Sequence, residues 1–437
     1  MPQKIVAAYT LGCKVNMYDT EAMLELFQDR GYAIGDFDHY ADIYIINTCT
    51  VTNLGDKKSR QMIRRARKMN PDALVAAVGC YAQVAPDEVS AIEGVNLVLG
   101  TKDRKQIVEL AEQWQARKSV QTHVFDIGRE TEFEDLSVSH LGDRQRAFLK
   151  IQEGCDRYCA YCIITYARGR VRSRHPGAIL EEVRRLAGNG YKEIVLAGIH
   201  VASYGKDLKT ANLLDIIEAV HGVDGIERIR MSSIEPGFID EDFIRRAAAL
   251  PKLCDHFHLS LQSGCDRTLA CMNRRYTVRQ YREAVIRLRE AFPRVALTTD
   301  VIVGFPGETD EDFDESCRFI EDIRLTQLHV FPYSPKKGTP AADFPDQIPA
   351  DVKNRRCAHM LALGRRLNQS FLENFIGQDF QVLFEQKMGD NLYEGHSTNY
   401  IPIAVESPVD LVNQILPVRI EAIHADRAAG RIQLSYF

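Results

Sequence analysis

Three cysteines, Cys155, Cys159 and Cys162, lie at offsets of four and three residues in Cys155-Asp156-Arg157-Tyr158-Cys159-Ala160-Tyr161-Cys162. They follow the apolar run Ala147–Ile151, which reads as a strand. Three thiolates this close in sequence can meet at one point only in a tight loop, so the loop must be built around whatever they hold. Thiolate is the soft ligand of iron–sulfur clusters and of zinc. A closed structural metal site wants four ligands, and only three are local. Either a distant ligand completes the site, as in a zinc knuckle, or one metal position stays open for a small molecule.

The rest of the chain sets the context. Its 437 residues are enough for two to four domains, and 45% hydrophobic with 26% charged residues is an ordinary globular balance. No apolar run approaches the roughly 20 residues that span a bilayer. The N-terminus, Met1-Pro2-Gln3-Lys4-Ile5, has no signal-peptide pattern. The expectation is a cytoplasmic protein with no membrane partner. In a reducing compartment its 11 cysteines read as ligands or core fillers, not disulfides. A net charge of −5 gives no global signal for nucleic acid, so any RNA site must be a local basic patch.

Residues 1–115 alternate strands with helical patterns, which predicts a parallel α/β domain. Strands are expected at Lys4–Tyr9, Asp42–Asn47, Ala73–Val78 and Asn96–Gly100. Cys13, Cys49 and Cys80 each follow one of the first three strands. In a parallel sheet those loops share the carboxyl edge, where α/β proteins bind ligands. One cysteine there would read as a small buried hydrophobe. Three at equivalent positions can hold a second cluster with an open iron. The helix after Cys49 carries seven basic residues and one acidic one between Asp56 and Lys68. Its Lys57, Lys58, Arg64 and Arg65 are candidates for RNA phosphate contacts, against the plain reading of a solvated face.

The polar stretch 116–140 reads as a linker. Residues 141–372 then show six further strands, Ala147–Gln152, Glu193–Ala197, Arg228–Ser232, His256–Leu261, Arg294–Val303 and Gln327–Pro332, separated by helical patterns. The C-x3-C-x2-C spacing, with Tyr161 before the last cysteine, resembles the motif of radical S-adenosylmethionine (SAM) enzymes. That resemblance implies a 4Fe–4S cluster whose unligated iron is chelated by SAM. Six strands fit the partial (βα)6 barrel of such enzymes, although periodicity alone equally allows a doubly wound sheet. Tyr161, Gly198, Ser233, Glu235 and Gln262 lie in the cluster loop or after strands, and are candidates for SAM binding. Arg168, Arg170, Arg172 and Arg174 alternate without an acidic residue. Strand-like spacing puts all four on one side, with Arg174 toward a SAM carboxylate and Arg168 and Arg170 toward RNA phosphates.

Over nearly its full length the chain resembles the methylthiotransferase family of radical SAM enzymes. The motifs are Leu11-Gly12-Cys13-Lys14-Val15-Asn16, Asn47-Thr48-Cys49-Thr50-Val51-Thr52, Gly79-Cys80-Tyr81, the Cys155–Cys162 loop and Gly304-Phe305-Pro306-Gly307-Glu308-Thr309. The wording of Lys14-Val15-Asn16 and His329-Val330-Phe331-Pro332-Tyr333-Ser334 looks most like the branch acting on threonylcarbamoyladenosine in tRNA. Sister branches act on isopentenyl-adenosine in tRNA or on a ribosomal protein aspartate. The resemblance implies two 4Fe–4S clusters, on Cys155, Cys159 and Cys162 and on Cys13, Cys49 and Cys80. The first would cleave SAM to a 5′-deoxyadenosyl radical, and the second would carry the sulfur inserted at C2 of adenine. A tRNA and an electron donor such as flavodoxin or ferredoxin are the implied partners, with no DNA. The rival classes are a two-cluster electron carrier, which three cysteines per site fit poorly, and a zinc-stabilised RNA-binding protein.

Residues 373–437 change to short alternating strands, expected at Phe380–Glu385, Tyr393–Ser397, Tyr400–Val405, Leu416–Ile423 and Arg431–Phe437. Five strands predict a small β-barrel, and the family ends in one, called TRAM. From Gly377 it holds four basic against eight acidic residues, a poor electrostatic match to RNA. Tyr393, His396 and Tyr400 are expected in its core or edge rather than on bases.

Overall fold

A computed structural model describes residues 3–117, 119–140, 142 and 144–433. The first sheet has six parallel strands, in the order Ala33–Gly35, Ile5–Thr10, Ile43–Thr48, Leu74–Gly79, Leu97–Leu99 and Gln121–His123. Every residue of Ile43–Thr48 and Leu74–Gly79 is buried. That is what a parallel sheet covered on both faces demands, and it explains their unbroken apolar character. The two outer strands have no counterpart in the expected set, because three residues each are too few to show a period. Gln121–His123 also moves part of the expected linker into the sheet.

The central domain has its six parallel strands at Arg146–Glu153, Glu193–Gly198, Arg228–Met231, His256–His258, Ala296–Val303 and Gln327–Pro332. They form two sheets joined by the bridges Ile229–Leu253 and Ile234–Leu259, and the bridge Gln262–Val301 extends the pairing within the second sheet. The curved whole is the partial barrel, not the doubly wound alternative. Helices such as Pro176–Gly188, Leu213–His221 and Val278–Ala291 bury one apolar face each against the outside of the strands.

Helix Ala350–Glu373 leads to a closed five-stranded barrel of Asp379–Lys387, Leu392–Ser397, Pro402–Glu406, Ile415–His424 and Arg427–Ile432. The last strand begins four residues before the expected one, and residues 434–437 of that expectation lie outside the described residues. Arg228 and Arg230 bind this barrel to the base of the central one. Arg228 donates to the His396 and Gln381 carbonyls at 2.8 and 2.6 Å, and Arg230 donates to the Thr398 carbonyl at 3.0 Å. No helix among the described residues is long and apolar enough to cross a membrane.

Candidate active site

The first cysteine set is levelled by strand register. Thr10 pairs with Asn47, and Thr48 pairs with Gly79, so the loops bearing Cys13, Cys49 and Cys80 leave the sheet side by side. Asn16 ties them together: its amide donates to the Leu11 carbonyl at 2.7 Å and the Thr48 carbonyl at 3.1 Å. Gly12 is required by space as well as by its φ of +103°, since a Cβ there would lie 3.2 Å from the Cys49 sulfur. Ionised Cys80 and Cys13 would each disfavour a thiolate at Cys49, so the three sulfurs lie within electrostatic reach of one another. Burial is the main force on Cys49, pushing its thiol up to about 11.

The second set follows strand Arg146–Glu153. The Cys155 N–H donates to the Gly169 carbonyl at 2.9 Å, and the Ala160 N–H to the Met272 carbonyl at 2.9 Å. Asn273 donates to the Tyr158 carbonyl at 2.8 Å. The first bond closes the base of the loop and the other two pin it to Met272 and Asn273, with Cys155, Cys159 and Cys162 within electrostatic reach of one another. Burial again dominates, raising Cys155 to about 11 and Cys162 to about 12. Thiols held protonated in this way ionise only when a cation replaces the proton. Among the described residues no group of three ligands converges on a single metal ion. Three neighbouring cysteines per set match the donor type and number of a 4Fe–4S cluster with one iron left unligated by protein.

Each set has an arginine on one sulfur. No signal in the sequence points to the first, Arg274, and the second, Arg168, was expected on RNA. Arg274 donates to Cys159 Sγ at 3.3 Å, and Arg168 Nε donates to Cys80 Sγ at 3.2 Å. Arg168 is fully buried and also binds Asp19, Glu153 and Asn16. It therefore has no face for RNA, contrary to expectation. Arg174 is corrected as well: it is buried against Glu182, Asp135 and Tyr18 rather than toward SAM. The strand-like alternation fails because Arg168 ends helix Ile164–Arg168 and only Arg172–Ser173 is strand. Arg170 is exposed, as are Lys57, Lys58, Arg64 and Arg65 on the outer face of helix Asn53–Met69.

The other candidate residues surround the Cys155–Cys162 loop or the barrel interior. Glu235 is buried among Arg157, Arg274 at 3.2 Å and His200 at 3.3 Å. Burial alone would raise its carboxyl, but the hydrogen bond to His200 and the neighbouring guanidinium groups outweigh it and bring it to about 2. Gln262 adopts φ +69°, a conformation a non-glycine residue holds only when its surroundings impose it. At Gly198 the space a Cβ would need is occupied by Gln152 Oε1, 2.9 Å away, so local packing already accounts for the glycine. Ser233 is exposed inside the barrel. A cavity of about 280 Å³ lies between the domains, lined by Val51 and Thr52 from the Cys49 loop and by Tyr161, Cys162, Gln262 and Asp300. Cys162 thus lines this mostly apolar space directly, and the Cys49 loop reaches it through Val51 and Thr52.

Residues 149–320 match the family described as the Radical SAM superfamily, and residues 5–100 match the one described as Uncharacterized protein family UPF0004. Threonylcarbamoyladenosine tRNA methylthiotransferase MtaB of Bacillus subtilis is 42% identical, over 95% of this chain and 93% of its own. The chain belongs to the methylthiotransferase family of radical SAM enzymes. The MtaB of Aquifex aeolicus is 39% identical over 86% of this chain and 92% of its own. Another methylthiotransferase relative, the tRNA-2-methylthio-N(6)-dimethylallyladenosine synthase of Acetivibrio thermocellus, is 34% identical over 98% and 91%. The solved radical SAM methyltransferase TsrM of Kitasatospora setae shares the fold, with TM-score 0.57 at 15% identity over 78% of this chain and 77% of its own. The methylthiotransferase described here also carries the closed C-terminal barrel expected of a TRAM domain.

Proposed function

We propose that this chain inserts a methylthio group at C2 of N6-threonylcarbamoyladenosine next to the anticodon of a tRNA. The observation that carries the reading is an interdomain cavity lined by Cys162 and by Val51 and Thr52 of the Cys49 loop, in a chain 42% identical over 95% of its length to an enzyme named for that substrate. Cys155, Cys159 and Cys162 hold one 4Fe–4S cluster, and Cys13, Cys49 and Cys80 hold the other. When bound, these clusters and SAM supply the one-electron chemistry that an unreactive aromatic C–H requires, and the sulfur to be inserted.

The chain's own residues bind, orient and shield. Glu235, kept ionised by His200, Arg157 and Arg274, is a fixed acceptor beside the Cys159 loop, suited to ribose hydroxyls or an amine of SAM. Gln262, held by its backbone strain, presents an amide to the same space. Ile302, Phe331 and Tyr333 line the cavity and exclude water, which protects reactive species from quenching. Exposed Val51, Leu54, Tyr158, Tyr166 and Phe331 offer apolar and aromatic surface on which splayed anticodon-loop bases can stack. Lys57, Lys58, Arg64, Arg65 and Arg170 supply phosphate contacts. A flavodoxin or ferredoxin delivers the electron, and the reaction takes place in the cytoplasm.

The test is anaerobic reconstitution with iron and sulfide, then incubation with SAM, reductant and tRNA bearing threonylcarbamoyladenosine. Nucleoside mass spectrometry should find the 2-methylthio product together with 5′-deoxyadenosine. Product only on dimethylallyladenosine tRNA would move the chain to the sister activity, and no 5′-deoxyadenosine would remove the radical assignment.

A further inference from the structure

A second cavity, of about 330 Å³, lies inside the central barrel, and its lining is unlike that of the first. Asp300 lines both, so the two spaces adjoin. The charges in this second cavity are balanced with one exception. Arg146 is paired with Glu385 at 2.9 Å, Arg230 with Glu193 at 2.9 Å, and Asp300 faces His258 at 3.4 Å. Lys14 comes from the first domain, one residue after Cys13, and faces the same space. Among the described residues it makes neither an ion pair nor a side-chain hydrogen bond. Two lining residues also carry unmet ring nitrogens: His256 Nδ1 and His258 Nε2 are buried with no hydrogen-bond partner. Buried polar groups in native proteins are nearly always satisfied, and an orphan in a cavity wall points to a ligand.

Resting on the function proposed above, we infer that Lys14 binds the carboxylate of the substrate's threonyl arm, and that this cavity selects a carboxylate-bearing adenosine. The arm attached at N6 carries one carboxylate, one hydroxyl and a carbamoyl group. With the adenine in the apolar cavity beside Cys162, the arm passes Asp300 and enters the polar one. The carboxylate meets the only unpaired ammonium found among the described lining residues, and a hydroxyl or carbonyl meets His256 Nδ1. A dimethylallyl arm offers neither contact. It would occupy the space while leaving the ammonium without a counter-charge, which is the unfavourable arrangement for a polar cavity. The residue that separates the two substrate classes thus sits next to a cluster cysteine, where the modified base must come close.

The experiment uses the reconstituted full-length chain and three free nucleosides: N6-threonylcarbamoyladenosine, its carboxyl methyl ester and N6-dimethylallyladenosine. Equilibrium dialysis should show the wild-type chain binding the acid about 10- to 100-fold more tightly than the ester, the range expected when a charge-assisted hydrogen bond is removed. Lys14→Met should abolish that preference and Lys14→Arg should restore most of it, with iron per chain measured for each. Equal binding of acid and ester by the wild-type chain overturns the inference and needs no variant. Weaker SAM binding by Lys14→Met with unchanged acid-over-ester preference also overturns it, because the carboxylate held would then be that of SAM. Wild-type turnover of dimethylallyladenosine tRNA in place of the threonylcarbamoyl form would instead defeat the proposed function, so the two failures are separable.

Discussion

At the scale of single residues, the two arginines on cysteine sulfurs are the contacts with the most direct chemical consequence. Hydrogen bonds and positive charge at a ligand sulfur stabilise the reduced cluster and raise its potential. Arg274→Gln should therefore make the potential of the Cys155–Cys162 cluster more negative and slow 5′-deoxyadenosine formation at unchanged iron content. A redox titration followed by electron paramagnetic resonance reads the shift, and an unmoved potential would deny the guanidinium a tuning role. Gly12 offers a steric test. An alanine there must adopt φ +103° and push on the Cys49 sulfur, a strain on the order of 1–3 kcal/mol. Gly12→Ala should lower iron content by up to about half, since one of two equal clusters is affected, while SAM cleavage persists. Full iron loading in that variant would show that the loop yields without releasing the cluster.

At the scale of elements, helix Asn53–Met69 has two faces of opposite character. Met62, Ile63 and Ala66 pack into the first domain, and Thr52 caps its start by accepting from the Gly55 N–H at 3.1 Å. The opposite face keeps Lys57, Lys58, Arg64 and Arg65 in water, with Arg65 lightly held by Asp38 at 2.7 Å. A surface pair of that kind contributes little to stability, so these charges remain free to meet phosphates. Arg64→Glu with Arg65→Glu should weaken tRNA binding and reduce the slope of log affinity against log salt by about 2, one unit for each phosphate no longer neutralised. Unaltered affinity would return the helix to a merely solvated face. The arginine run after the cluster loop behaves differently. Alternation in sequence predicts one exposed row, but a helix end, a turn and a two-residue strand send Arg168 and Arg174 inward and leave Arg170 outside.

At the scale of the whole molecule, the first domain and the central barrel are joined by a buried ion network. Asp19 and Arg104 come from one side, and Lys150, Glu153 and Arg168 from the other. Burial pushes the Asp19 and Glu153 carboxyls upward, but Arg104, Lys150 and Arg168 outweigh it and hold both below their ordinary values. A carboxyl depressed in the folded state stabilises above its unfolded value and loses that contribution as pH falls through the folded one. Thermal stability should thus change little through the network from pH 7 to 5 and fall below about pH 4. Glu182 runs the other way: burial wins over Arg174 and raises it, so its protonation favours the fold on acidification. Asp19→Asn leaves Lys150 and Arg168 with Glu153 and Arg104 with Glu153 and Glu134, and should cost about 3–5 kcal/mol. Calorimetry at pH 7 checks this, and a change below about 1 kcal/mol would mean that the cations find water or another partner.

Sequence alone determined the pieces whose physics is local. Alternating apolar strands and amphipathic helices placed the inner strands of the first sheet and all six strands of the barrel, because each must bury its own face. Cysteine spacing and position after strands singled out the six thiols as candidates, since a cluster dictates its ligands regardless of what surrounds them. Tertiary structure decided everything that depends on a distant partner. Tyr400 is an ordinary tyrosine in the sequence, yet it stacks on His256 at 4.7 Å and closes the base of the barrel under Arg230. Arg274 lies 115 residues from Cys159, and no period or spacing connects them. Lys14 reads as a motif residue beside a ligand. Only the meeting of three domains turned it into an ammonium facing a polar cavity with no ion pair among the described residues, because an ion pair is set by what comes within a few ångströms in space, not by what is near in the chain.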